Sequence, residues 1–214
     1  MWQSDFRGIK SVLCLGAHAD DIEIGCGGTI LKLARDNPGL NVSWVVFSAE
    51  GARAAEARQS ARRFLEGAGR KKIALRRFRN GFFPYEGERI KEYFEQLKRS
   101  IKPDLVLTHC GNDRHQDHRL LSELTWNTFR NHLILEYEIP KYDGDLGNPN
   151  LFVRLDEALC RRKAQWICKF FGTQRDKHWF TTDTFLSLMR IRGIECASPT
   201  KYAEAFYCRK LVCG

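Results

Sequence analysis

The chain has 214 residues, 43% of them hydrophobic and 12% aromatic, and carries a formal net charge of +9. This composition excludes a disordered chain, and no apolar run approaches the roughly 18 residues of a membrane span. The length predicts a single domain over residues 1–214. The positive charge favours anionic partners. No helix-turn-helix, zinc-finger or basic-zipper pattern accompanies it, so we expect no nucleic-acid partner.

The cysteines and the first residues bear on the compartment. Eight cysteines are scattered along the chain without a CxxC pair, and the first residues lack the basic and apolar segments of a secretion signal. Reduced thiols and a cytoplasmic location are therefore expected. The densest basic run, at residues 70–79, is either a solvated face or a rim that attracts phosphorylated or nucleotide-linked substrates. The sequence leaves a homo-oligomer open.

Strands and helices alternate along the chain. The apolar runs that predict the first five strands are SVLCLGA (11–17), NVSWVVFSA (41–49), KIALRRF (72–78), DLVLTHC (104–110) and LILEYEI (133–139). Helical patterns follow the first four strands at 29–36, 52–69, 86–101 and 120–132, and two more precede a β-like segment at 202–212. The alternation predicts an α/β fold with a mostly parallel sheet, strand order 3-2-1-4-5, and helices on both faces. The loop at 138–150 is either a flap over the substrate or a plain surface turn.

Polar residues cluster after the first and the fourth strand, which are neighbours in this order. Ligands of open parallel sheets bind beyond the carboxyl ends of the strands at such a switch point. The clustered residues are His18, Asp20 and Asp21 in the first loop and Asp113, His115, Asp117 and His118 in the second. A flexible polar loop could explain one such cluster. It is a poor explanation for two clusters at the same edge of the sheet.

Glycines after a first strand also occur in dinucleotide-binding folds, and Glu50 stands where such folds place a ribose-binding acid. The segment GAHADDIEIGCGGT lacks the G-x-G-x-x-G spacing, however. Asp20 and Asp21 would also lie beside the pyrophosphate, where two carboxylates repel phosphate oxygens unless a cation intervenes. This interpretation is therefore disfavoured.

A metal ion accounts for both clusters. Two imidazoles and one carboxylate with an open fourth position are the usual ligands of catalytic zinc, so His18, Asp21 and His118 are the predicted ligands. Asp20 is then free to act as a base toward water at the metal. His115 can be an acid or an electrostatic stabiliser, and Asp117 can fix the tautomer of an imidazole from behind.

Other interpretations stay open at this point. Taken singly, Asp20 or Asp21 could cap the following helix, and His115 could be an exposed loop histidine. The same three ligands could hold iron(II) in an oxygenase, although such an enzyme has no obvious use for Asp20. The metal could also be structural, in a non-catalytic carbohydrate-binding module, although structural zinc more often has four protein ligands.

Two motifs resemble a known family. AHADDIEIGCGG, residues 17–28, resembles the A-H-P-D-D-x-x-x-G-x-G-G opening of the LmbE-like family, and HQDH, residues 115–118, matches its H-x-D-H motif. That family includes the PIG-L N-acetylglucosaminyl-phosphatidylinositol deacetylase and deacetylases of the bacillithiol and mycothiol pathways. The resemblance extends over residues 12–124. It implies a zinc-dependent N-deacetylase with a Rossmann-like fold.

The resemblance also implies residue roles. By motif position these are zinc ligands His18, Asp21 and His118, general base Asp20, general acid or oxyanion stabiliser His115, and supporting carboxylate Asp117. The segment EARQSA resembles the arginine-bearing helix start near the substrate and points to Arg58. Ala19 replaces the family's usual proline. Asn80 stands where a substrate-contacting aspartate is expected, which puts recognition of the sugar hydroxyls in question.

The sequence thus predicts an enzyme that removes the acetyl group from an N-acetylated amino sugar of the N-acetylglucosamine type. Its cofactor would be one Zn²⁺ per chain, with Fe²⁺ or another divalent metal as the alternative. We expect a small-molecule, anionic substrate, such as a nucleotide- or lipid-linked sugar used in polysaccharide or glycolipid biosynthesis. The sequence does not decide whether His115 or Asp20 protonates the departing amine.

Overall fold

A computed structural model describes residue 3 and residues 5–212. Its seven strands are β1 Ser11–Gly16, β2 Asn41–Val46, β3 Lys71–Leu75, β4 Leu105–His109, β5 Leu133–Tyr137, β6 Leu151–Leu155 and β7 Tyr202–Tyr207. Its six α-helices are α1 Asp21–Asp36, α2 Gly51–Phe64, α3 Gly87–Ser100, α4 Gln116–Thr128, α5 Glu157–Phe170 and α6 Thr182–Glu195. None of the helices in this described part combines the length and apolar character needed to cross a bilayer.

The strands form one sheet in the order β3-β2-β1-β4-β5-β7-β6. The first five strands pair in parallel, which confirms the predicted 3-2-1-4-5 core. β7 lies antiparallel to both β5 and β6. The β-like pattern at 202–212 predicted β7, but no pattern predicted β6. The five residues of β6 follow a turn-rich loop and pair with a strand about fifty residues later.

Hydrophobic cores cover both faces of the sheet. One core packs α1, α2, α5 and α6 against the sheet around the fully buried Trp44 and Phe64. The other packs α3 and α4 around Phe47 and Phe94. Because both faces are covered, the polar loops can reach solvent only at the ends of the strands.

Helix α1 begins earlier than predicted, at Asp21 instead of residue 29, and contains the glycine cluster. A Cβ atom on Gly25 would lie 2.1 Å from the Tyr137 ring, and one on Gly28 would lie 2.6 Å from Leu155. The helix also kinks at Cys26, whose φ and ψ are −143° and 15°. The glycines therefore allow the kinked helix α1 to pack closely on the sheet. This packing fixes the position of Asp21, the first residue of the helix.

Candidate active site

The two polar loops meet at the carboxyl ends of β1 and β4. These strands pair directly in parallel, with Val12 opposite Leu105 and Cys14 opposite Leu107. The pairing places the loop of His18 beside the loop of His118, a hundred residues later in sequence. The side chains are largely withdrawn from solvent, since His18 is 8% exposed and His118 2%.

His18, Asp21 and His118 converge on one point. Nδ1 of His18 lies 3.3 Å from Oδ2 of Asp21 and 3.2 Å from Nε2 of His118. Nε2 of His118 lies 3.5 Å from the same Oδ2 atom. Ligands bonded to zinc at 2.0–2.1 Å in a tetrahedron lie about 3.3 Å apart. The three atoms therefore have the spacing that a tetrahedral metal with one open position requires.

A carboxylate contacts the far nitrogen of each histidine. Oδ2 of Asp117 lies 3.2 Å from Nε2 of His18, and Oδ2 of Asp113 lies 2.9 Å from Nδ1 of His118. These contacts assign the protons to the far nitrogens, so that lone pairs of Nδ1 of His18 and Nε2 of His118 face each other. Two facing lone pairs repel unless a cation, either a proton or a metal ion, lies between them.

The role expected for Asp117 needs correction. The resemblance implies that Asp117 supports His115, but its carboxylate contacts His18 and accepts the backbone N–H groups of Gly81 and Phe83 at 2.7 and 3.1 Å. The reason is that Asp117 lies in the first turn of α4, where its backbone N–H donates to Nδ1 of His115 while its side chain points away.

Charges explain the protonation of this cluster. Burial alone would lower the pKa of His18, but Asp21 and the contact with Asp117 raise it to about 9, so that without a metal both of its ring nitrogens carry a proton at neutral pH. A bound metal would displace the proton on Nδ1. Burial and the nearby His109 lower the pKa of His118 to about 3. Burial would raise the pKa of Asp21, yet the surrounding histidines, His118 first, hold it well below its ordinary value.

Asp20 faces the cleft and does not cap the helix. It stands at the N-cap position of α1, but its side chain makes no capping hydrogen bond. Instead, Oδ1 of Asp20 accepts a hydrogen bond of 2.7 Å from Nη2 of Arg53. Burial raises the pKa of Asp20, while the charge of Arg53 opposes that rise. One oxygen of the Asp20 carboxylate is thus paired with an arginine.

His115 lies beside the other two histidines. Its ring stacks on that of His118 at a centroid distance of 4.5 Å and meets that of His18 edge-on at 4.9 Å. Because Nδ1 accepts the backbone N–H of Asp117, the neutral ring carries its hydrogen on Nε2. Burial, followed by the charge of His18, lowers the pKa of His115. These effects disfavour the charged imidazolium that His115 would need to act as a general acid.

His109, the last residue of β4, is a site residue that the sequence analysis missed. It is fully buried, Nε2 lies 3.2 Å from Oδ2 of Asp21, and its ring stacks on His118 at 3.9 Å. Asp21, His109 and His118 form a second set with metal-binding spacing, and His18, His115 and His118 form a third. A histidine ending a strand directly before the second loop was the available signal.

A cleft of about 220 Å³ opens over these residues. Asn80 lines this cleft and Arg58 does not. Arg58 is exposed, and Arg53 is the arginine of α2 that lines the cleft. The loop after β5 also lines it, through residues that include Lys141 and Tyr142. The last part of the lining comes from the segment before α6, namely Lys177 and Trp179.

The sequence and fold resemble known proteins. The model of the PIG-L family, described as GlcNAc-PI de-N-acetylase, matches residues 13–129. No curated protein matches the sequence. The N,N'-diacetylchitobiose deacetylase from Pyrococcus horikoshii is 24% identical, with a TM-score of 0.73 over 94% of this chain and 84% of that one.

Two more solved structures share the fold at lower identity. A zinc-inhibited form of the teicoplanin deacetylase Orf2 is 13% identical, with a TM-score of 0.70 over 93% of this chain and 97% of that one. The 4-carboxy-2-hydroxymuconate hydratase GalB from Pseudomonas putida is 17% identical, with a TM-score of 0.68 over 96% and 98%. The fold therefore occurs with more than one reaction, so the reaction must be argued from the site.

Proposed function

The chain belongs to the PIG-L family and is an N-deacetylase, an enzyme that hydrolyses an amide bond; we propose that it removes the acetyl group from an N-acetylated amino sugar with one bound zinc ion. His18, Asp21 and His118 would hold that ion. The observation that carries the proposal is the mutual spacing of 3.2–3.5 Å among their three facing atoms. A cytoplasmic location, a homo-oligomer and a single domain over residues 1–214 stay predictions.

The donor set fits zinc better than the alternatives. Two neutral imidazoles and one carboxylate suit zinc, and carboxylates behind both histidines are the usual outer partners of zinc-bound imidazoles. When bound, zinc would polarise the amide carbonyl and lower the pKa of a water molecule to about 7. Iron(II) would use the same ligands in an oxygenase, but that chemistry needs no base at Asp20.

Asp20 is the proposed general base. Its Oδ1 atom is paired with Arg53, and no described residue hydrogen-bonds to Oδ2. Oδ2 can therefore take a proton from water as the water attacks the acetyl carbon. Because burial raises the pKa of Asp20, the protonated carboxyl can then deliver that proton to the departing amine.

His115 is the proposed stabiliser of the oxyanion. Its neutral ring carries hydrogen on Nε2, so it can donate a hydrogen bond to the developing negative oxygen without being charged. The lowered pKa of His115 supports this role over that of a charged acid. We therefore propose Asp20, and not His115, as the proton donor to the departing amine.

The cleft lining suggests how an anionic amino sugar would bind. Tyr142 and Trp179 offer aromatic faces to a sugar ring. Arg53 is paired with Asp20, and Lys141 is paired with Asp113 and Asp145. Lys177 has no ion pair within the described part of the chain, so it is the proposed contact for a phosphate or carboxylate on the substrate.

Acetate release from a panel of N-acetyl amino sugars, free, nucleotide-linked and lipid-linked, tests the function. We expect release with zinc present and none after chelation. Oxygen uptake in place of acetate release would support an iron oxygenase, and sugar binding without either product would support a binding module. A preference for uncharged free sugars would overturn the anionic substrate but leave the deacetylase intact.

A further inference from the structure

Lys141 joins the wall of the cleft to the loop that carries His118. Its Nζ atom lies 3.0 Å from Oδ2 of Asp113 and 2.5 Å from Oδ2 of Asp145, and the three side chains are 9%, 3% and 5% exposed. The same oxygen of Asp113 lies 2.9 Å from Nδ1 of His118. One carboxylate oxygen thus contacts both a lysine and a proposed metal ligand.

A second contact joins the same two segments. The backbone N–H of Arg114, next to Asp113, donates a hydrogen bond of 2.7 Å to Oδ2 of Asp145. Residues 141–145, which we call the cleft wall, are therefore tied to the metal-ligand loop at two points. Beyond the wall, Gly147 is anchored by Glu138 through its N–H at 3.0 Å and by Arg192 through its carbonyl at 2.9 Å.

The cleft wall makes few other contacts, among them a hydrogen bond of 3.2 Å between the Tyr142 hydroxyl and Nδ1 of His178 and an edge-on contact of the Tyr142 ring with Trp179. It contains no helix or strand, and it presents Tyr142, which is 67% exposed, and Asp143 to the cleft. Without the lysine, Asp113 and Asp145 would lose the cation that both contact. Two buried carboxylates then repel each other, and the wall carrying one of them would move away.

We propose that Lys141 is a positioning residue that couples the metal site to the cleft wall. The inference rests on the proposed function, because the coupling passes through His118 as a metal ligand. A metal that fixes His118 also fixes Asp113, which contacts His118. Asp113 in turn holds Lys141, and the pair of Lys141 with Asp145 keeps the wall in place. Metal loading therefore orders the substrate-binding wall before substrate arrives, and the ordered wall in turn slows loss of the metal.

Hydrogen exchange of the backbone amides at 141–147, measured with and without zinc, tests the coupling. In the parent protein we expect zinc to slow this exchange about fivefold or more. Lys141→Met should still bind zinc in a chelator competition but lose the zinc-dependent slowing, and Lys141→Arg should retain much of it. Lys32→Met is the matched control, since it removes the ion pair of 2.6 Å with Asp36 on α1 outside the cleft.

The outcomes separate the coupling from the metal centre. Zinc binding to the parent without slower exchange of the wall would overturn the coupling alone, as would slowing that persists in Lys141→Met. A parent that binds no zinc would overturn the metal centre and the coupling with it. If Lys141→Met does not fold, Asp145→Ala serves instead, because it removes the contacts of Asp145 with Lys141 and with the N–H of Arg114 and should reduce the zinc-dependent slowing.

Discussion

The guanidinium of Arg53 donates a hydrogen bond of 2.7 Å to Oδ1 of Asp20, and this contact decides which oxygen of Asp20 is available. Arg53 lies in the first turn of α2 and Asp20 directly precedes α1, so the pair also links the starts of two helices. The charge of Arg53 opposes the rise in the pKa of Asp20 that burial and the neighbouring Asp21 cause. The available oxygen, Oδ2, is the one to which we assign proton transfer.

Asp20→Asn should therefore abolish most turnover and leave the metal in place. We expect turnover to fall by about a hundredfold or more, the usual effect of removing a general base. Asp21→Asn, a change of the neighbouring carboxylate, should instead reduce zinc content. Acetate release and zinc per chain, measured on the same preparations, compare the two. Loss of zinc from Asp20→Asn would contradict the assignment of Asp20 as a base.

Removing the metal should abolish activity reversibly. A chelator should stop acetate release, and added zinc should restore it, since the folded site keeps its carboxylates behind both histidines. His18→Ala and His118→Ala should each lower zinc affinity and prevent this recovery at equal zinc concentration. The measurement is zinc affinity by chelator competition. If both variants bind zinc as the parent does, the proposed ligand set is wrong.

The carboxylates of Asp113 and Asp117 should contribute to zinc affinity, because they orient the proposed ligands His118 and His18. Asp113→Asn and Asp117→Asn should each weaken zinc affinity by about 10- to 100-fold, because each loses the charged partner of an imidazole N–H. Asp183→Asn, an exposed change in the first turn of α6, is the control. Chelator competition at fixed pH measures the effect. Unchanged affinity in Asp117→Asn would show that the contact of Asp117 with His18 is incidental.

The sequence predicted the core of the fold and the convergence of the two loops. Continuous apolar runs fix the parallel strands, and the parallel order brings the loops of His18 and His118 to one edge. These relations depend on local patterns and on general topology. They could be inferred without knowing any side-chain direction.

The sequence could not predict features that depend on where a side chain points or on the pairing of strands that are far apart in the chain. Arg58 lies five residues after Arg53 on the same helix, about 7.5 Å farther along its axis, and so leaves the cleft. Asp117 points to His18 because α4 begins at Gln116 and turns the side chain away from His115. The pairing of β6 with β7 joins segments that are far apart in sequence, so no local pattern predicts it.

The buried pair Lys163–Glu204 should stabilise the kink of α1. Nζ of Lys163 lies 2.6 Å from Oε1 of Glu204 and 2.6 Å from the carbonyl oxygen of Ile24. Glu204 accepts the backbone N–H groups of Gly28 and Thr29 at 2.8 and 2.6 Å. The lysine thus satisfies a carbonyl before the kink, and the glutamate satisfies the amides after it.

Lys163→Met should lower the free energy of unfolding by about 3–5 kcal/mol, since it leaves Glu204 buried without a counter-charge. Adding Glu204→Gln should recover part of that loss, because the amide oxygen can still accept one N–H and carries no charge. Denaturant unfolding of the two single variants and the double variant measures the coupling. Losses that simply add in the double variant would show that the two charges do not stabilise each other.

Lys177 should decide the preference for a charged substrate. Within the described residues it is the cleft cation that forms no ion pair, although its charge also opposes the rise in the pKa of Asp20 that burial causes, and its Nζ lies 5.5 Å from the ring of Trp179. Lys177→Met should therefore raise KM for a phosphorylated N-acetyl sugar and leave KM for the neutral sugar nearly unchanged. Raising the salt concentration should weaken the parent's preference in the same way, because salt screens exposed charges. Steady-state kinetics on the two sugars, at low and high salt, measures both effects. Equal changes for the two sugars would remove Lys177 from charge recognition and leave the metal centre and Asp20 untouched.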